Sequence, residues 1–304
     1  MATTSEKSYL FAEFGKLHES SLPLYAIANP TLNAYAPIPF RLHGVRPMSI
    51  RSLFLTGVLV LGAVVLLWPG VVVVQTSLTP AWHWQNYVLA WQQAQLLPAL
   101  FISLTVAIGV VLTQGLTSVL AGYALARAEF TGKKLILSLI IASIVVPLPV
   151  LVIPIFLVLK TGHLLNTLGA LILPSSANGF SIFLLRQYFL TIPVELETQA
   201  LLDGAKPWQI LWEIILPLSR PALVTVGLLA FIGEWNDLFK PLVFTTRPEL
   251  RTVQLALASL QEQFTSDWGV LMAATVLATL PIVGLFFLGQ KALIRGIATS
   301  GLKS

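Results

Sequence analysis

Two polar groups interrupt a chain that is otherwise mostly apolar. The first is Ile192-Pro193-Val194-Glu195-Leu196-Glu197-Thr198-Gln199-Ala200-Leu201-Leu202-Asp203-Gly204-Ala205, followed by Ile214-Ile215-Leu216-Pro217. Acids, an amide and a glycine break between two helical runs suit docking, not bond-making. The second is Glu234-Trp235-Asn236-Asp237, which sets two carboxylates, an amide and an indole side by side. That set can exchange hydrogen bonds with hydroxyls. Reactive constellations do not accompany either group. There is no cysteine, so disulfides and thiolate metal sites are excluded. His18, His43, His83 and His163 are far apart and lack the i, i+4 company of a metal site. The nearest approach to a nucleotide-binding Gly-x-x-x-x-Gly-Lys-Ser/Thr is Thr131-Gly132-Lys133-Lys134, which lacks both the upstream glycine and the hydroxyl. No His, Asp and Glu residues form a catalytic set, so a non-enzymatic role is expected.

The elements that must position these groups are set by composition. Hydrophobic residues make up 56% of the 304 and charged residues 10%, with a mean hydropathy of +0.83. A soluble domain carries about 25% charged residues, so the chain reads as an integral membrane protein. A hydrocarbon core about 30 Å thick needs about 20 helical residues. Six stretches qualify: Leu53 to Thr76, Leu97 to Ala124, Leu135 to Leu159, Leu168 to Phe189, Ala222 to Phe244 and Val270 to Ile294. Their continuous apolarity favours helices over barrel strands, which alternate. An all-α membrane protein with six transmembrane helices is the expected fold. With the N-terminus inside, fourteen of the eighteen Lys and Arg fall on one side. The bias puts both termini and the 191–221 loop in the cytoplasm. The net charge of +5 is accounted for by this topology and gives no reason to invoke nucleic acid.

Within the loop, Pro193 suits the start of a helix, and Glu195 and Glu197 complement its positive end. Asp203-Gly204 stops that helix near Leu202, because glycine accepts the left-handed backbone that closes a helix. Lys206-Pro207 starts a second, with Trp208, Leu211, Trp212 and Ile215 on one stripe at i, i+3, i+4, i+7. Pro217 and Pro221 end it before the fifth span. The bland alternative is an amphipathic connection lying on the bilayer. Periodicity explains the tryptophan stripe in that case, but not the Asp203-Gly204 break or the spacing to Pro217.

The loop resembles the coupling motif of permease subunits in binding-protein-dependent ABC importers, the carbohydrate-uptake (maltose-type) branch in particular. That motif runs Glu-Ala-Ala, three residues, Gly, nine residues, Ile, any residue, Leu, Pro. Ala200, Gly204, Ile214, Leu216 and Pro217 match it, and Pro193, Glu195-Leu196-Glu197 and Asp203-Gly204-Ala205 match the usual flanks. Thr198-Gln199 stands where Glu-Ala is expected. Glu197, one position earlier, either supplies the missing carboxylate or is the flanking acid common in the family. Gly122-Tyr123-Ala124-Leu125-Ala126-Arg127 with Phe130 and Gly132-Lys133 resembles the end of the family's second span. Pro147 and Ile153-Pro154 resemble its broken third span, and Trp235-Asn236-Asp237 with Pro241-Leu242 its fifth. The likeness covers about residue 53 to the C-terminus, giving a permease domain over 51–304 and a cytoplasmic N-terminal extension over 1–50.

The resemblance implies an ABC type I importer permease fold in a bacterial inner (plasma) membrane, moving a solute by alternating access. Glu197, Ala200, Asp203, Gly204, Ile214 and Pro217 become the residues coupled to an ATPase. Implied partners are a second homologous permease subunit, two ATPase subunits that bind ATP and Mg, and an extracytoplasmic solute-binding protein. The implied solute is an oligosaccharide, disaccharide or glycosylated polyol; the alternatives are a non-sugar such as glycerol phosphate, or an ion-coupled secondary transporter. The last usually shows internal repeats, and none is evident.

Glu234, Trp235, Asn236 and Asp237 are the candidates for the substrate pathway, since a carboxylate deep in a membrane suggests a cavity or a pairing role. Trp235 would stack on a sugar ring, with Asn236 and Asp237 bonding to hydroxyls. Alternatively Asp237 pairs with Lys240 and Trp235 anchors the interface. Pro147, Pro149 and Pro154 make the third span either a gating, pore-lining helix or a static kink. Ser175, Ser176 and Asn178 are weaker pathway candidates. Trp82-His83-Trp84 with Tyr87 and Trp91 reads as an interfacial belt or a contact for the binding protein. Leu10, Phe14 and Leu17 share a stripe over residues 8–18, and prolines make 19–40 irregular.

Overall fold

The computed structural model describes residues 50–80, 83–263 and 267–300. The expected surface helix near Leu10, Phe14 and Leu17 lies outside them, as does Trp82. By their contacts the described residues fall into two units, one ending at Ala63 and the other beginning at Val64. Among the described residues there is no strand. The helices are α1 (Ile50–Ser77), α2 (Gln85–Gln93), α3 (Leu96–Arg127), α4 (Lys133–Val145), α5 (Leu148–Thr161), α6 (Leu168–Ile172) and α7 (Gly179–Phe189). They continue with α8 (Val194–Leu202), α9 (Pro207–Leu218), α10 (Arg220–Trp235), α11 (Phe239–Phe244), α12 (Val253–Gln263) and α13 (Trp268–Ser300).

Three helices are long and apolar enough to span a bilayer unaided, α1, α3 and α13, and three bent pairs raise the number to six if each is one span. The pairs are where the structure departs from six continuous helices. α4 and α5 meet at 107° across Val146-Pro147, so the stretch expected as the third span is two helices, a broken span or a re-entrant loop, and not one kinked helix. Pro147 is the N-cap of α5 and Pro149 lies in its first turn, where a missing N–H costs nothing; Pro154 sits inside α5. α6, extended by a 3₁₀ turn to Ser175, meets α7 at 45°. The third bent pair, α9 and α10, turns by 79° around Ser219. The fifth span ends earlier than Phe244: α10 stops at Trp235, and α11 restarts after Asp237 accepts hydrogen bonds from the N–H groups of Phe239 (2.8 Å) and Lys240 (3.2 Å).

Two cores organise the body of helices. One joins α2, α3, α10, α12 and α13 through Ala90, Leu96, Ala107, Phe231, Trp235, Val253 and Val270. The other lies under the loop and joins α3, α7, α9 and α10 through Val119, Leu185, Phe189, Ile210, Ile215 and Val226. Gly122 lets α3 and α7 approach closely, since a Cβ there would stand 3.2 Å from the Arg186 nitrogen and 3.3 Å from the Ile182 oxygen. Leu112 of α3 and Leu288 of α13 point outward, as side chains facing acyl chains do.

Candidate functional sites

The loop is built around a closed elbow. Pro193 caps α8, and Glu195 and Glu197 lie in its first turn. At its far end Gly204 has φ +86°. The Ala205 N–H bonds to the Ala200 carbonyl at 2.9 Å and the Gly204 N–H to that of Leu201 at 3.0 Å. These two bonds are a Schellman closure, which needs a left-handed residue at Gly204 and an apolar contact beside it. Ala200 and Ala205 supply that contact by packing on the core beneath. The elbow therefore turns outward Leu201, Leu202, Asp203 and Gly204, with Leu202 83% exposed. α9 then restarts as expected, with the Gln209 side chain accepting from the Lys206 N–H at 2.9 Å.

The tryptophan stripe does not lie on one face. Residues Ile210–Ile215 form a π-helix, whose wider turn brings positions five apart into line. Ile210, Leu211 and Ile215 are buried, whereas Trp208 and Trp212 are exposed and meet each other edge to face at 5.1 Å. Ile214 packs on the core and Pro217 is exposed.

Glu197 points inward and is only 7% exposed. Its carboxylate accepts from Arg127 Nε at 2.5 Å and from Tyr123 Oη at 3.0 Å. A second nitrogen of the same guanidinium donates to the Ile192 carbonyl at 2.8 Å. Tyr123 in turn rests edge-on against Phe189. Arg127 lies in the last turn of α3 and Glu197 in the first turn of α8, so each charge also complements its own helix end. Sequence reasoning noticed Tyr123 only as part of a resemblance, and Arg127 there and as one of the cytoplasmic basic residues. The available signal was a basic residue closing a span and an acid opening the loop.

The second polar group forms a buried ion cluster. Lys240 is 2% exposed, and its Nζ lies 2.6 Å from Glu234 Oε2 and 3.2 Å from Asp237 Oδ2. It also donates to Ser175 Oγ at 2.6 Å, reaching from α11 to the break after α6. The Asp237–Lys240 pairing, the alternative to a pathway role, is present, and Glu234 joins it. Trp235 is 2% exposed, stacks on Phe231 and donates to the Ala278 carbonyl at 3.1 Å. No ring face is left for a sugar in this conformation. Asn236 is the exposed member of the four, within 3.5 Å of the Gln254 amide. Asn178 caps α7 by accepting from the Ser181 N–H at 3.1 Å, and the Ser176 carbonyl accepts from Thr117 Oγ1 at 2.5 Å. Among the described residues, no group of three or more His, Cys, Asp or Glu could hold a metal ion.

Comparison with known proteins agrees with this architecture. Residues 116–299 match the family described as binding-protein-dependent transport system inner membrane component. The chain is 37% identical over 231 residues to the probable ABC transporter permease protein YurM of Bacillus subtilis, covering 75% of this chain and 76% of the relative. It is 36% identical over 220 residues to the sulfoquinovosyl glycerol transport system permease protein SmoH of Agrobacterium fabrum, covering 72% and 77%. Its fold matches a chain in the crystal structure of a bacterial ABC transporter involved in the import of the acidic polysaccharide alginate. The TM-score there is 0.69 at 22% identity, over 85% of this chain and 100% of that one. With the family matched across most of the chain and the fold alike, this protein belongs to the inner membrane components of binding-protein-dependent transport systems, the permease subunits of ABC importers.

Proposed function

We propose that the chain is the membrane-spanning permease subunit of an ATP-driven importer for a sugar or sugar-like solute, and that its 191–221 loop is the element an ATPase subunit drives. The observation that carries the coupling role is the closed elbow. A Schellman turn at Gly204 presents Leu201, Leu202 and Asp203 outward, while Ala200 and Glu197 hold the same helix to the body. A rigid, exposed apolar corner suits a groove on another protein, and a short helix so held moves as one piece with the spans it joins. Support for the solute class comes from SmoH, whose named solute is a glycosylated polyol.

In this reading the loop and both termini face the cytoplasm of a bacterial cell. A second, homologous permease chain completes the pathway, a pair of ATPase subunits binds ATP and Mg, and an extracytoplasmic binding protein delivers the solute. The six spans are α1, α3, α4 with α5, α6 with α7, α10 and α13, and α9 stays in the loop. The test is uptake by proteoliposomes holding the chain with its genetic neighbours. Sugar accumulation that requires ATP inside and the binding protein outside supports the proposal; ion-driven uptake by this chain alone overturns it.

A further inference from the structure

We infer that Arg127, Glu197 and Tyr123 form the internal joint through which movement of the loop enters α3, so that Glu197 acts inside this chain and not on the ATPase. The inference rests on the reading of the loop as the ATPase-driven element. Glu197 is 7% exposed, and both of its oxygens are engaged by residues of α3 some seventy positions earlier. The carboxylate therefore faces away from the exposed corner at Leu202. A partner seated on that corner meets Thr198, Leu201, Leu202 and Asp203, which are exposed, before it meets Glu197.

The joint has the features of a part that transmits displacement. One guanidinium holds the loop at two points, the Glu197 carboxylate on α8 and the Ile192 carbonyl in the chain entering it. A planar, forked cation fixes orientation as well as distance, which a lysine would not. The negative end of α3 and the positive end of α8 meet there with opposite charges between them, and side-chain exposures of 14% and 9% leave little water to screen the pair. Tyr123 adds a second bond one turn earlier on α3 and is braced by Phe189 of α7. Residues of α3 and, through Tyr123, α7 are thus tied to the first turn of α8. A push on the corner at Leu202 reaches α3 through this contact.

The chain has no cysteine, so Leu202→Cys gives a unique thiol for cross-linking to an ATPase subunit in the assembled transporter. If the Leu202→Cys protein yields no cross-link, the docking reading itself fails. With the cross-link established, Glu197→Gln and Arg127→Glu are each combined with it. We expect cross-link yield within twofold of the parent, transport reduced tenfold or more, and more ATP hydrolysed per solute moved. The exchange Arg127→Glu with Glu197→Arg should recover transport at least threefold over either single variant, short of the parent because its charges oppose both helix ends. Wild-type transport in Glu197→Gln overturns the joint, as does a cross-link lost together with transport, which would place Glu197 in the docking surface. Should Glu197→Gln fail to accumulate, Tyr123→Phe removes a single hydroxyl. A two- to fivefold loss of transport at unchanged cross-link yield is then expected, and no loss overturns the proposal.

Discussion

The joint at Arg127 and the cluster at Lys240 are both buried ion networks between distant segments, yet they are built for different tasks. Lys240 is enclosed by two carboxylates, a hydroxyl and a carbonyl, with its side chain 3% exposed, and it stitches the break after α10 to the break after α6. Arg127 meets one carboxylate at the edge of the helical body, at 14% side-chain exposure, and spends its remaining reach on a loop carbonyl. A saturated, dry cluster holds a shape. A single pair at the edge, joining a span to a loop, is placed to pass movement on. Burial alone would not separate the two; what each charge is tied to does.

Four substitutions would break or sharpen this contrast. Lys240→Met should be the most damaging, because it leaves Glu234 and Asp237 facing each other in a medium of low dielectric. Removing one partner of a buried pair costs about 3–5 kcal/mol. Loss of monodisperse protein in detergent, partly restored by adding Glu234→Gln, is the expected outcome, and a stable single variant would show that the cluster does not hold the fold. Trp235→Ala should follow at about 3–5 kcal/mol, as a large core side chain is lost. A lower melting temperature is expected, and a change confined to solute preference would return Trp235 to the pathway.

Gly204→Val ranks third, since a β-branched residue at φ +86° carries about 1–3 kcal/mol of backbone strain. The empty space around Gly204 means that conformation, not crowding, is the cost. Insertion should persist while transport and coupled ATP hydrolysis are abolished; coupling at the wild-type level would refute the elbow. Asn236→Ala should change stability by less than about 0.5 kcal/mol, as surface changes do. Its expected effect is on the concentration dependence of uptake, and an unchanged profile would remove Asn236 from contact with solute.

How much of this was legible in the sequence depended on distance along the chain. The stop at Asp203-Gly204 was readable because a left-handed glycine closes a helix with bonds to its own last turn. The end of α8 at Leu202 and the restart at Pro207 followed from neighbours. Glu197 was singled out as a candidate for coupling to an ATPase, but its closure on Arg127 and Tyr123 was not readable, since those partners are brought to it by the α3–α7 contact at Gly122. Nothing local announces that contact. The Trp208 stripe assumed a uniform helical period, which the π-turn at Ile210–Ile215 changes. Three prolines marked the third span, yet only the folded chain shows that Pro147 opens a new helix while Pro154 is accommodated inside it. At Glu234-Trp235-Asn236-Asp237 the residue types are compatible with binding a sugar, and the same types also build a core and an ion cluster; the packing of Trp235 and the pairing with Lys240 could not be read from the types alone.

The most direct test is a structure of the transporter assembled from this chain and its neighbours. An ATP-hydrolysing subunit seated on Leu201, Leu202 and Asp203, with Glu197 still closed on Arg127, is the predicted result. An elbow surrounded by solvent or lipid, with no such subunit against it, would contradict the account.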